Sequence, residues 1–350
     1  MSRFINEELK NIPPYVPGEQ PRDIDNWIKL NTNENPYEYS DSFISNVTDE
    51  IKNLRLYNDP KCTRLYETLS NTFKISSDMV YAGNGSDEVL AFCMMAYGKN
   101  GVAFPNITYS FYSNMSNVAR VKHRKVPLMD DLSVNINDYK DLSETIILAN
   151  PNAPTGLALS IDKIKELLEQ NKNRLVIIDE AYVDFGAESS VCLLNQYDNL
   201  LVVGTMSKSR SLAGTRVGYA LGNSELINDL NTIKYNFNPY NVNTLSQTIA
   251  RKVFENKKDF QKSVDKIIST RERISKELID LGFDLTDSKA NFIFAKCPND
   301  KLGEYFYEEL KSKKILVRYW NKPFIDKYIR ISIGTDQEMD KLIEALKDII

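Results

Sequence analysis

The middle of the chain alternates short apolar segments with amphipathic ones, and this alternation limits the fold more than any other feature. Four apolar segments are predicted to be buried strands: 145–150, 174–180, 200–207 and 216–222. Between the first two, apolar side chains recur at helical spacing from Ile161 to Leu168. Continuous apolar strands separated by helices need cover on both faces. The pattern therefore predicts an α/β fold with a mostly parallel mixed sheet covered by helices.

The length of 350 residues and a change of character beyond Arg251 predict three parts of the chain. Single hydrophobic cores stop growing at roughly 250–300 residues, so a second, smaller core is expected. Residues 30–245 are predicted to form the large domain. Residues 246–350, which begin with a long charged helix from about Lys252 to Leu281, are predicted to form a small α+β domain. The prolines of residues 1–29 predict an extended N-terminal arm.

Charge and composition disfavour several functional classes. The formal net charge of -4 argues against nucleic acid or an anionic membrane as a partner, because both attract basic surfaces. No apolar segment approaches the roughly 18–20 residues that span a bilayer, and the polar start of the chain predicts no secretory signal. Four scattered cysteines fit a reducing compartment, so a cytoplasmic location is expected. His123 is the only histidine, so no multi-histidine metal centre is expected.

Lys208 is the strongest candidate for a catalytic side chain. It follows the predicted strand 200–207, and ligands of α/β sheets bind beyond the carboxyl ends of strands. With one histidine in the chain, the acid–base work falls to another residue, and lysine is a candidate. Burial and a neighbouring cation such as Arg216 would let this amine form an imine with a carbonyl. Ser207 and Arg216 could then hold a phosphate. A solvated loop lysine is the alternative interpretation.

Three more segments lie where a strand ends or a helix begins. Asp179 and Tyr182 follow the predicted strand 174–180; in a site for pyridoxal phosphate (PLP), such a carboxylate would keep the pyridine nitrogen protonated. Residues 82–88 form a glycine-rich turn that opens a helix, which suits a phosphate. Residues 150–156 contain two prolines and a glycine, which predict a rigid loop able to aim an amide at a ligand. Taken singly, the turn and the loop could be structural.

In this order, the four segments resemble the fold-type I PLP-dependent aminotransferases, and within them the histidinol-phosphate aminotransferase family. The motifs are AGNGSDE, NPNAPTG, DEAY and SKSRSLAGTRVGY. The resemblance extends to PPY, LNTNENPY, LYNDP and YIRISIG, and so covers nearly the whole chain. It implies a homodimeric enzyme of histidine biosynthesis that uses PLP to exchange an amino group between L-histidinol phosphate and 2-oxoglutarate.

The resemblance also implies roles for individual residues around the cofactor. Lys208 is expected to be the Schiff-base lysine and proton shuttle, Asp179 to pair with the pyridine nitrogen, and Tyr182 to contact the phenolic oxygen. Tyr57 is expected to reach the phosphate of the neighbouring subunit's cofactor. The other residues expected to bind the cofactor are Gly85, Ser86, Asp87, Tyr109, Asn152, Thr205, Ser207 and Arg216.

On the substrate side, the resemblance implies that Arg330 is the main contact of the substrate's anionic group, with Arg318 and Tyr15 as helpers. One site must accept a phosphate in one half-reaction and a carboxylate in the next. Arginine suits both, because its planar fork donates two hydrogen bonds to either anion and stays charged. For Arg318, an ion pair with a surface carboxylate is the alternative interpretation.

One position departs from the family pattern. Many relatives have an asparagine immediately before Pro-Thr-Gly, where it bonds the cofactor's phenolic oxygen, and this chain has Ala153 there. Either Asn152 takes over this contact or Tyr182 makes it alone, and we favour Asn152. The substrate also stays open at this point. An aromatic amino-acid aminotransferase and a lyase similar to threonine-phosphate decarboxylase share the fold and the motifs.

Overall fold

The computed structural model describes residues 3–6, 9–10, 12, 15–40, 43 and 48–350, so Pro13 and Pro14 of the predicted arm lie outside the described residues. The described strands are β1 (Ile28–Lys29), β2 (Val80–Gly83), β3 (Val102–Pro105), β4 (His123–Val126), β5 (Thr145–Ala149), β6 (Val176–Asp179), β7 (Leu200–Thr205), β8 (Gly218–Gly222), β9 (Asp284–Leu285), β10 (Phe292–Lys296), β11 (Ile315–Leu316), β12 (Arg318–Tyr319) and β13 (Tyr328–Ser332).

The described α-helices lie between and after these strands. They are α1 (Thr63–Phe73), α2 (Gly85–Tyr97), α3 (Phe111–Val118), α4 (Ile161–Gln170), α5 (Ser224–Phe237), α6 (Thr244–Glu255), α7 (Lys257–Asp280), α8 (Gly303–Ser312) and α9 (Asp336–Ile349). No helix in the described part of the chain is both long enough and apolar enough to span a membrane.

A seven-stranded mixed sheet forms the centre of the larger part of the molecule. Its strand order is β2-β8-β7-β6-β5-β3-β4, and its pairs are parallel except for those that β8 makes with β2 and β7. Every residue of β5, β6 and β7 is buried. Helices α1, α4 and α6 contribute to the core on one face of the sheet, and α2, α3 and α5 to the core on the other. The predicted α/β fold with a mostly parallel, two-sided sheet is confirmed.

A smaller core forms around a four-stranded antiparallel sheet of order β12-β13-β10-β9. Helices α7, α8 and α9 pack against it through apolar side chains such as Ile267, Phe306 and Leu342. The start of the chain joins this part, since β1 pairs in parallel with β11 and Leu30 is buried in the same core. The later part of the chain thus packs against the residues near its start. This packing places the segment after β1 in the region between the two cores.

Asn256 separates α6 from α7. Ala250, Val253 and Phe254 of α6 pack in the core of the large sheet, whereas α7 packs in the small core. The packing therefore favours a division of the two parts near Asn256 over the predicted boundary at 245/246. The Asn256 side chain accepts the N–H of Asp259 at 3.5 Å and caps α7. For this reason the helix expected from about Lys252 begins at Lys257.

Candidate active site

A cavity of about 490 Å³ lies where the carboxyl edge of the large sheet meets the small sheet and the N-terminal arm. Three parts of the chain contribute its walls. The side chains that matter for the chemistry are Tyr109, Tyr182 and Lys208 from the large sheet, Arg318, Trp320 and Arg330 from the small sheet, and Tyr15 and Gln20 from the arm. The cavity therefore brings Tyr109, Tyr182 and Lys208, which are predicted to bind the cofactor, together with the residues predicted to bind the substrate, whereas Asp179 is not in its wall.

Lys208 follows β7 after two residues and reaches into this cavity. Its Nζ donates a hydrogen bond to the backbone oxygen of Thr32 at 3.2 Å and lies 5.8 Å from the centre of the Tyr182 ring. Among the residues that the structure describes, no carboxylate forms an ion pair with it. An amine bonded only to a neutral carbonyl is available for covalent chemistry with a bound aldehyde.

Asp179 ends β6, the strand beside β7, and is 4% exposed. The Tyr112 hydroxyl donates to Oδ2 at 2.6 Å and the Ala181 N–H donates to Oδ1 at 3.2 Å. Burial nevertheless raises the pKa of Asp179 to about 6, since two donors only partly replace the lost water. A protonated ring nitrogen beside this carboxylate would offset the unfavourable burial of its charge. The Asp179 environment fits the group that the sequence motifs imply.

The start of α2 has the properties of a phosphate site. Its N-cap residue, Asn84, makes no side-chain capping bond, so the first N–H groups of the helix stay available to an anion. Gly85 has φ +81, and a Cβ there would lie 2.5 Å from Nη2 of Arg216. A Cβ at Gly218 would lie 2.2 Å from the backbone nitrogen of Ser86. Glycine at both positions therefore lets a guanidinium and free N–H groups converge.

The remaining polar groups near α2 connect this helix start to the cavity. Arg216 forms an ion pair with Asp87, with 3.1 Å between Nη2 and Oδ2. The Tyr109 hydroxyl donates to the other carboxylate oxygen of Asp87 at 3.0 Å. Ser207 is buried, and its hydroxyl accepts a hydrogen bond from Thr205 Oγ1 at 3.0 Å. Together with the N–H groups of α2, Arg216 and Ser207 can hold the phosphate of PLP.

Arg330 lines the cavity from the small sheet. Its Nη2 donates to the backbone oxygen of Asn31 at 2.9 Å, while its buried Nε has no partner among the described residues. The guanidinium lies about 5 Å from the ring centres of Phe292 (5.2 Å) and Trp320 (5.1 Å). Burial lowers the pKa of Arg330 to about 10, so it keeps its charge at neutral pH. A buried cation with an unused N–H fits an anionic ligand.

Arg318 and Tyr15, the predicted helpers, lie beside Arg330. Arg318 is the direct cross-strand neighbour of Arg330, and its guanidinium donates to the backbone oxygens of Val16 and Pro17 at 3.4 Å each. No carboxylate pairs with it in the described part of the chain, so the predicted alternative of a surface ion pair is not observed. Burial raises the pKa of Tyr15, whose hydroxyl therefore remains a proton donor.

Asn152 is the predicted cofactor residue whose contacts disfavour its assignment. Its side-chain NH₂ donates to the Ile107 oxygen and to Thr155 Oγ1, and its Oδ1 accepts from Thr108 Oγ1. Contact with a cofactor would require the amide to give up one of these bonds, and the role of Asn152 stays a prediction. Ala153, in contrast, lies in the cavity wall. No amide occupies the position that the family pattern gives to asparagine.

Tyr57 lies outside the cavity of its own chain. Its side chain is 83% exposed and stacks on Tyr240 at a ring-centre distance of 4.6 Å. That position is compatible with the predicted reach into a neighbouring subunit, which stays a prediction.

Several residues in or beside the cavity were not predicted from the sequence motifs. Asn33 donates to the Tyr182 hydroxyl at 2.9 Å, Tyr112 donates to Asp179, and Trp320 packs beside both arginines. Asn33 belongs to the LNTNENPY segment, which contributed to the resemblance without a role for any single residue. Its backbone φ of 56° favours asparagine over most residues, but this angle is known only from the structure, so no sequence signal identified Asn33.

Comparison with known proteins agrees with the site. The sequence model of the family described as "Aminotransferase class I and II" matches residues 25–346. The histidinol-phosphate aminotransferase of Brachyspira hyodysenteriae is 48% identical over 355 residues, which cover 100% of this chain and 99% of that protein. The crystal structure of the histidinol-phosphate aminotransferase from Clostridium acetobutylicum superimposes with a TM-score of 0.84 at 26% identity, over 92% of this chain and 98% of that one.

A third relative, the histidinol-phosphate aminotransferase from Sinorhizobium meliloti, was solved in complex with pyridoxal 5′-phosphate. It shares the fold, with a TM-score of 0.84 at 22% identity over 92% of this chain and 90% of that one. The match of the family over nearly the whole chain and the full-length identity to its members leave one assignment. The chain belongs to the family of class I and II aminotransferases, the PLP-dependent enzymes that its motifs resemble.

Proposed function

We propose that this enzyme transfers the amino group between L-histidinol phosphate and 2-oxoglutarate in histidine biosynthesis. The 48% identity to a histidinol-phosphate aminotransferase over the full length supports this substrate. The observation that carries the proposal is the buried Nε of Arg330, which has no partner among the described residues and belongs to the wall of the cavity that also contains Lys208. A second anion therefore has a place in the site, and it belongs to the substrate.

The residues at the sheet edge would perform the chemistry common to both half-reactions. Bound PLP supplies an electron sink for the carbanion that forms when the amine-bearing carbon loses its proton. Lys208 holds the cofactor covalently and, once released, its Nζ takes the proton from that carbon. Asp179 keeps the ring nitrogen protonated, and Tyr182 donates to the phenolic oxygen. Tyr109 covers the ring, and Ser207, Arg216 and the start of α2 hold the phosphate.

The residues at the small sheet would provide the specificity. Arg330 binds the phosphate of histidinol phosphate in one half-reaction and a carboxylate of 2-oxoglutarate in the other, because its buried Nε has no partner among the described residues beside the bond from Nη2 to Asn31. Arg318 adds positive charge from the neighbouring strand. Arg318 also bonds the arm and holds it beside the cavity. The arm therefore covers the substrate, and Tyr15 adds a hydroxyl.

Steady-state rates with histidinol phosphate, phenylalanine and threonine phosphate, each with 2-oxoglutarate, test this function. The proposal expects the highest kcat/KM for histidinol phosphate, with glutamate formed in equal amounts. A preference for phenylalanine would make the enzyme an aromatic amino-acid aminotransferase. Release of carbon dioxide from threonine phosphate without glutamate formation would make it a lyase. Lys208→Ala protein is the control for background reaction with free PLP.

The proposal includes a homodimer with shared sites and a cytoplasmic location, the latter in keeping with four unpaired cysteines. Exposed apolar side chains, among them Leu54, Leu56 and Tyr57, offer a surface for a second copy. A Lys208→Ala chain mixed with a Tyr57→Phe chain should form hybrids in which one of the two sites has both intact residues. Activity no higher than the sum of the separate variants, or a monomer at micromolar concentration, would contradict shared sites.

A further inference from the structure

Three consecutive residues after β1 each contact one functional side chain of the cavity. The backbone oxygen of Asn31 accepts from Arg330, and that of Thr32 accepts from Lys208. The side chain of Asn33 donates from Nδ2 to the Tyr182 hydroxyl at 2.9 Å. The first two contacts use the backbone and place no demand on the side chain. The third depends on the identity of residue 33.

The orientation of the Asn33 amide is fixed by its neighbours. Asn33 is 1% exposed, and its backbone oxygen accepts from Asn291 at 3.0 Å. The Ser332 hydroxyl accepts the backbone N–H of Asn33 and donates its own proton to Asn33 Oδ1, both at 2.9 Å. Because Oδ1 already faces a donor, the NH₂ group is the half of the amide that faces Tyr182.

This orientation determines what the Tyr182 hydroxyl can do. Its oxygen accepts from Asn33, so its proton is left for another acceptor, and in the described part of the chain no acceptor for that proton is found. Tyr182 lies in the cavity wall next to Lys208 and next to Ala153, which cannot donate a hydrogen bond from its side chain. An N–H bond to the oxygen also makes the hydroxyl a stronger donor, because hydrogen bonds in a chain polarise one another.

We propose that Asn33 is a positioning residue that keeps Tyr182 a hydrogen-bond donor to the phenolic oxygen of the cofactor. In this way the amide of Asn33, acting through Tyr182, compensates for the absence of an asparagine at position 153. The inference rests on the proposed contact of Tyr182 with the cofactor. It concerns the cofactor alone and does not depend on which amino donor the enzyme uses.

The pH titration of the visible absorption band of the PLP-loaded enzyme measures this effect directly. A hydrogen bond donated to the phenolic oxygen favours the form with more negative charge on that oxygen, so its loss should move the titration midpoint to higher pH. Asn33→Asp keeps the size of the side chain and the bond from Ser332, but its carboxylate accepts the Tyr182 proton. Asn33→Gly removes the side chain and tolerates the backbone φ of 56°. Both variants should raise the midpoint by on the order of half to one pH unit.

Asn33→Gly in a Tyr182→Phe background separates positioning from a general structural effect, because it introduces no charge. Tyr182→Phe alone should raise the midpoint, and Asn33→Gly should then add nothing, since the side chain through which Asn33 acts is gone. Equal shifts with and without the Tyr182 hydroxyl, or no shift in the parent background, would overturn the inference. A parent enzyme that gains no PLP absorption band would overturn the proposed function as well, which distinguishes the two failures.

Discussion

The two sides of the active site are constructed differently. At the edge of the large sheet, Asp179 ends β6 and Lys208 follows the neighbouring strand β7, and every residue of both strands is buried, so the sheet itself sets their positions. On the side of the small sheet, Arg330 bonds Asn31, a residue 299 positions away in the chain, and Arg318 bonds the arm. The difference indicates that the cofactor chemistry relies on a rigid framework, whereas substrate recognition relies on contacts among three separate parts of the chain.

Replacement of Lys208 at the sheet edge should have the largest effect. Lys208→Ala removes both the covalent link to PLP and the amine that moves the proton, so the transamination half-reaction should slow by many orders of magnitude. Single-turnover absorbance changes of the PLP-loaded variant measure this loss. Lys163→Ala, on the exposed face of α4, is the matched control and should keep the parent rate.

Replacement of Arg330, on the small-sheet side of the active site, should lower activity less than replacement of Lys208. Truncation of a buried charged contact typically costs roughly 2–5 kcal/mol, so Arg330→Ala should lower kcat/KM by on the order of 10²-fold or more with both histidinol phosphate and 2-oxoglutarate. Arg330→Lys should recover little, because an ammonium cannot donate in the same planar geometry. Arg273→Ala, a surface arginine of α7, is the control. Rates within a few-fold of the parent in both half-reactions would move the anion site elsewhere.

The pH dependence of the free energy of unfolding tests whether burial of the Asp179 carboxylate destabilises the apoenzyme. Because burial raises the pKa of Asp179 to about 6, the folded state favours its protonated form. This preference contributes about 3 kcal/mol to the free energy of unfolding. The contribution is present below the ordinary Asp pKa and is lost as the pH rises through 6. Compared with Asp179→Asn, the free energy of unfolding of the parent apoenzyme should therefore fall between pH 4 and pH 7. Parallel pH profiles in denaturant titrations would contradict this account of Asp179.

Weakening the contacts of the N-terminal arm should have the smallest effect on activity. Glu19 accepts from Lys311 at 2.8 Å and from the Tyr307 hydroxyl at 3.1 Å, and these contacts hold the arm against α8. Since exposed ion pairs contribute roughly 0–1 kcal/mol, Glu19→Gln should raise the KM for the amino donor by up to about five-fold and leave kcat unchanged. The increase should shrink at high salt. As a control, Glu166→Gln breaks a comparable exposed pair on α4 and should leave KM unchanged. A change in kcat with Glu19→Gln would show that the arm does more than retain substrate.

The sequence was sufficient to predict strands β5 to β8 of the large sheet and their edge, because the signals there are local. Continuous apolar segments identify buried strands, and a polar residue that directly follows such a strand, as Lys208 does, must lie at the carboxyl edge. Helix ends were predicted less well. Asn256, with an aspartate three residues later, is an N-cap signal that the charged composition of the region obscured.

The substrate side could be predicted only through the resemblance, and its finer contacts not at all. The bond between Asn33 and Tyr182 joins residues 149 positions apart, and the bonds between Asn33 and Ser332 join residues 299 apart. No local pattern specifies such pairs, because they arise when the chain returns to its start at the small sheet. In the same way, Asn152 was an attractive candidate by position, although its amide bonds Ile107 and Thr108, which lie about 45 positions earlier in the chain.

The central claim is that Lys208 at the sheet edge holds the cofactor covalently. Borohydride reduction of the PLP-loaded enzyme, followed by peptide mapping by mass spectrometry, tests it most directly. The account predicts a yellow protein that loses its colour on reduction and has one phosphopyridoxyl group on the peptide that contains Lys208. A label on a different lysine, or no label on an enzyme that had bound PLP, would contradict it.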